Sequence, residues 1–166
     1  MILLILLPFL IQTIVIMIDE FYFHVRRGLP KWERLGHPLD TLTVLGCFAF
    51  ILFVPYSQFA LKLYIALSVF SCLFVTKDEF VHKECCSVSE QWLHALLFLN
   101  HSVVLTVTGF LWLVIDKADT PLWLSGLLPY VNEIRTLLLF QTGFIAIFCV
   151  YQLIYWNLIW KDKESK

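Results

Sequence analysis

Long apolar runs broken by short polar stretches dominate this chain. A run that crosses the hydrocarbon core of a bilayer needs ~20 residues as a helix. Backbone groups in lipid must hydrogen-bond within the segment, which leaves helices or closed barrels. The 166 residues are 60% hydrophobic and 16% aromatic, against ~45–50% apolar in a soluble domain. A soluble protein of this size could not hide so much apolar surface. The pattern predicts an all-α fold, a polytopic transmembrane helical bundle in a single domain. Five spans are expected, at about 2–24, 38–55, 59–82, 90–115 and 134–160, with a polar tail at 161–166. Pro38 marks the expected start of the second span, because proline suits the first helical position.

The first run has no basic residue before it and no small-residue cleavage site after it. It reads as a retained helix rather than a cleaved signal peptide. Lysine and arginine then set the orientation. Arg26, Arg27, Lys31, Arg34, Lys77, Lys83, Lys161, Lys163 and Lys166 fall on one side, and Lys62, Lys117 and Arg135 on the other. The N-terminus is expected outside and the C-terminus in the cytosol, in a multi-pass integral membrane protein (of the plasma membrane, or the inner membrane if bacterial). Trp32, Trp92, Trp123, Trp156 and Trp160 fall near the expected interfaces, as an aromatic belt would. The segment from Asp116 to Glu133 reads as a partly interfacial connector. A net charge of -1 and the lack of a basic arm exclude a nucleic-acid partner. The five cysteines show no C-x-x-C spacing and read as structural.

Ionisable residues gather at one end of the expected spans. His24, His37, His82, His94 and His101 all map to the cytosolic half, beside Asp19, Glu20, Asp40, Asp78, Glu79 and Glu90. Such groups are costly at a membrane boundary unless they pair, bind a metal or reach water. Helical spacing puts Glu20 with His24, Glu79 with His82, and Glu90 with His94 and His101 on shared faces. His37 and Asp40 open the second span. Four helices would each offer a carboxylate and an imidazole at one level, which is what a di-metal site needs. Bundles build such sites from Glu and Glu-x-x-His on several helices, and Glu79-Phe80-Val81-His82 has that spacing. The expected ligands are Glu20, His24, His37, Asp40, Glu79, His82, Glu90, His94 and His101. Asp19 and Asp78 stand behind them as outer or alternative ligands. Nitrogen and oxygen donors suit iron, zinc or manganese.

Plainer roles exist for individual members. Ser87-Val88-Ser89-Glu90 is a capping box. Asp40 complements a helix N-terminus, and His24 and His82 complement C-termini. His101 lies inside an apolar span and needs a partner, for which Asn100, Gln152 or a metal are candidates. Arg26 and Arg27 either set topology or hold an anionic lipid headgroup.

On these residues the chain resembles integral-membrane di-iron lipid hydroxylases and desaturases, which hold iron with helix-end histidines on the cytosolic face. That class carries eight or more histidines in H-x-x-x-H and H-x-x-H-H boxes, whereas this chain has five and no such box. Its carboxylate content is closer to ferritin-like di-metal bundles. The resemblance implies an iron pair, oxidation of a lipid-phase substrate, and a separate electron donor, since no nucleotide-binding glycine pattern is present. A zinc-dependent intramembrane lipid hydrolase, needing one ion and three ligands, is the alternative. A non-enzymatic proton- or ion-handling protein is a third reading, and haem ligation by His94 and His101 a fourth. Homo-oligomerisation is compatible with all of them.

Overall fold

A computed structural model describes residues 2–78, 86–118 and 120–160, with side chains for all of these except 2–4 and 78. Five long helices account for nearly all of it: α1 (Ile2–Ile18), α2 (Lys31–Phe53), α3 (Gln58–Phe74), α4 (Val88–Ile115) and α5 (Val131–Ile154). No strand occurs among the described residues. With their extensions, all five helices are long and apolar enough to cross a membrane. Leu99, Phe140 and Ile147 point outward at 69%, 70% and 72% exposure. An outer surface of that kind suits hydrocarbon rather than water.

α4 is the most buried helix. It packs on α1 and also meets α2, α3 and α5, while α2 packs on α5 and α3. α1 and α5 flank the bundle without packing closely on each other. The helices alternate in direction, so the end of α1 lies with the starts of α2 and α4 and the end of α5.

The two ends of the bundle differ in how well they fill. At one end Trp112 is fully buried, donates Nε1–H to the Val54 carbonyl at 3.2 Å and is ringed by Phe50, Tyr56 and Tyr64. Tyr64 donates its hydroxyl to the Leu105 carbonyl at 2.7 Å. Its ring passes 2.9 Å from where a Cβ on Gly109 would sit, so only glycine lets α3 and α4 approach this closely. At the other end lie the buried polar residues and a cavity.

Two local departures from α-geometry shape that second end. α1 runs on through a π-helical turn, Asp19–His24, and one further turn to Arg27. α5 likewise ends in a π-helical turn, Tyr155–Ile159. Between α1 and α2, Gly28 takes φ 79° with the Trp160 ring against it.

α2 starts at Lys31, two turns before the expected start at Pro38. A proline inside a helix removes one donor and orphans the carbonyl four residues earlier. Here that carbonyl, on Arg34, accepts from Asn157 Nδ2 at 3.3 Å, so α5 supplies what Pro38 lacks. α4 starts at Ser87, whose side chain accepts from the Glu90 N–H at 3.3 Å, as the capping pattern predicts. The expected connector after Asp116 contains a 3-10 helix, Leu122–Tyr130.

Candidate metal centre

Four residues bring potential ligand atoms within 4.8 Å of one another: Asp19 and His24 from the end of α1, and Glu90 and His94 from the start of α4. All four are buried, at 7%, 1%, 2% and 3% exposure. This group could hold a metal ion.

The π turn is what assembles it. In an α-helix, residues four apart share a face, and a fifth falls away from it. In a π turn the repeat is i to i+5, so Asp19 and His24 become neighbours. His24 Nε2 lies 3.4 Å from Asp19 Oδ2, and His94 Nε2 lies 3.0 Å from Asp19 Oδ1. Asp19 therefore spans both imidazoles with its two oxygens. His24 Nε2 has no hydrogen bond and faces both Asp19 and, at 3.9 Å, Glu90 Oε1. A ring nitrogen aimed between two carboxylates at such distances is a suitable donor for a cation.

A second ring of residues holds the first. Glu20 Oε2 lies 3.4 Å from His24 Nδ1, and its Oε1 accepts from Trp156 Nε1 at 2.6 Å. With Nδ1 hydrogen-bonded to Glu20, the Nε2 lone pair is directed at the cluster. A carboxylate behind a ligating histidine is the usual outer partner at metal sites. Trp156 comes from the π turn of α5, so the two irregular turns meet through this bond.

Glu33, fully buried on the first turn of α2, completes the set. Arg27 Nη2 donates to Glu33 Oε2 and to Glu90 Oε1, each at 3.1 Å. His37 Nε2 lies 3.8 Å from Glu33 Oε2, and the His37 ring is 4.7 Å from that of His24. Asp19, Glu20, Glu33 and Glu90 thus put four buried carboxylates around one guanidinium and three imidazoles. Buried charges persist only when paired or bound to a cation.

The other expected ligands are placed differently. Asp40 pairs with Lys77 Nζ at 2.6 Å. His101 sits two turns deeper than His94, with Nε2 3.1 Å from Ser71 Oγ, which in turn meets Thr43 Oγ1 at 2.7 Å. Its buried polar partner is therefore a serine, and both Asp40 and His101 line the same cavity as the cluster. Asn100 donates instead to the Pro8 carbonyl and to Gln12. Arg26 lies over the Tyr22 ring at 3.9 Å on the surface, whereas Arg27 is engaged by carboxylates. Glu79 and His82 lie outside the described residues, as does the Asp78 side chain. Glu33 is the residue that sequence reasoning missed; its i, i+4 spacing to His37 becomes a signal once α2 begins at Lys31.

Cys86 borders the cluster from the segment between α3 and α4. Burial pushes its thiol up to about 12 from an ordinary value near 9, against the opposing pull of Arg27.

A cavity of about 150 Å³ opens from this cluster toward the middle of the bundle. Asp19, Glu20, His24, His37 and His94 line its polar end. Phe9, Phe48 and Val104 line its far end.

No protein-family model matches the chain, and no curated protein or solved structure shows significant similarity to it.

Proposed function

We propose that this chain is a multi-pass membrane metalloenzyme, with iron as the metal and oxidation of a lipid-phase substrate as the reaction. One observation carries the reading: Asp19, His24 and His94 of the four-residue group line the polar end of a cavity whose remaining walls are largely apolar. A purely structural polar cluster has no need of such a cavity. The excess of lysine and arginine at the same end supports a cytosolic position for the cluster, within reach of a separate electron donor.

In this reading His24 and His94 present ring nitrogens, and Asp19 and Glu90 supply charge that a cation offsets. Glu20, fixed by Trp156, holds the His24 ring in orientation. Glu33 and His37 lie close enough to serve a second ion. Bound iron would supply the capacity to bind and reduce oxygen.

Zinc-dependent lipid hydrolysis is the second reading, favoured by Arg27. Its guanidinium already bridges Glu33 and Glu90, next to the place a second ion would take. One zinc with both histidines and one carboxylate of the group, and the other carboxylate as general base, needs no second ion. Elemental analysis of protein purified in mild detergent separates the two. About two irons per chain supports the first reading and one zinc the second. Folded protein that takes up neither metal contradicts both.

A further inference from the structure

We infer that the cavity is a measured slot for one single-chain lipid, held with its oxygen-bearing end at the cluster and its methyl end against Phe9 and Phe48. The inference rests on the metalloenzyme reading only for what happens at the polar end.

Its length follows from the helices that line it. From Glu20 to Phe9, from His37 to Phe48 and from Gln152 to Gln141, the wall residues are separated by about 16 Å of helix. An extended chain advances about 1.2 Å per bond, so about a dozen carbons reach from one end to the other. Spread over that length, a volume of about 150 Å³ leaves a narrow channel. That admits one hydrocarbon chain and not two. Apolar side chains make most of the wall, with Gln12, Thr13 and Gln141 as polar interruptions, which suits a mainly apolar ligand.

The polar end has an uncommitted hydrogen-bonding group. Gln152 is 4% exposed and lines the cavity, and its Oε1 accepts from Thr41 Oγ1 at 2.7 Å. Its amide nitrogen makes no hydrogen bond among the described residues and can donate to a ligand. An oxygen on the ligand's polar end completes it. Entry is lateral, between α1 and α5, which both line the cavity and do not pack closely on each other. The Trp156–Glu20 hydrogen bond and the Phe21–Tyr151 contact bridge that gap at the polar end. Any reaction at the cluster then falls on the first carbons from the polar end, not on the middle of the chain.

The test is competition by 1-alkanols of about six to about eighteen carbons against a fluorescent dodecyl probe, on the full chain in nanodiscs. Binding should be tightest near a dozen carbons. Thr13→Phe, one turn nearer the cluster than Phe9, should move the optimum about five carbons shorter. Phe9→Ala should move it longer, so the two variants check each other if one folds poorly. Gln152→Leu should weaken every alkanol about fivefold without moving the optimum. A flat length profile, an optimum that neither wall variant moves, or displacement by two-chain phospholipid overturns the inference. A metal-free protein that keeps the length optimum supports the slot and sinks the metalloenzyme; a metal-bound protein with a flat profile does the reverse.

Discussion

His94 Nε2 meets Asp19 Oδ1 at 3.0 Å across 75 residues of sequence, tying the start of α4 to the π-helical end of α1. The same aspartate reaches His24 through its other oxygen. Asp19→Ala should therefore abolish metal retention. Glu20→Gln, which touches only the far side of His24, should lower metal affinity about 10–100-fold while keeping the stoichiometry. Metal titration of the two purified variants checks this, and equal effects would contradict the assigned roles.

Trp156 supplies a hydrogen bond to a fully buried carboxylate. Trp156→Phe keeps most of the ring but leaves Glu20 Oε1 without that donor. The loss should be about 1.5–3 kcal/mol of stability, read by thermal unfolding in detergent. Trp156→Phe combined with Glu20→Leu should recover part of it, because no carboxylate is then left buried.

Arg27 holds two buried carboxylates from different helices. Arg27→Ala should cost about 3 kcal/mol, and adding Glu33→Gln should restore a measurable part. Strict additivity in that double-mutant cycle would show that the pair is not coupled.

Gly28 is fixed by conformation and by space. Its φ is 79°, and a Cβ there would lie 3.1 Å from the Trp160 ring. Gly28→Ala should destabilise the fold by about 1–2 kcal/mol and loosen the turn that carries Arg27. An unchanged unfolding temperature would mean that the turn relaxes freely.

Cys86 should resist alkylation. With the thiol raised to about 12, the thiolate is scarce at pH 8 and grows only as the pH rises toward that value. In a Cys85→Ser background, labelling of folded protein by iodoacetamide at pH 8 should be many-fold slower at Cys86 than in unfolded protein. Equal rates would show that the site is not buried.

The five long apolar helices were legible because run length alone decides them in a chain this apolar. Three features of the site were not. Asp19 stood second to Glu20 because α-helical spacing was assumed, and the π turn reverses that order. Pro38 hid the first two turns of α2, since the group that satisfies Arg34 comes from Asn157, far away in sequence. Glu33 was hidden for the same reason, as part of a basic segment taken for a loop. His24, Glu90 and His94 were readable because a carboxylate and an imidazole one turn apart keep their relation wherever the helix is placed. His101 showed the limit of that logic. Its face is shared with His94, but the serine it needs lies on α3.

The most direct test is the metal content of the full chain produced with iron and zinc supplied and purified in mild detergent, set beside His24→Ala and His94→Ala. Bound iron with nitrogen and oxygen ligands in its X-ray absorption spectrum, lost in both variants while the helical signal persists, is the expected result. Folded wild-type protein without stoichiometric metal, or metal that both variants retain, would contradict the account.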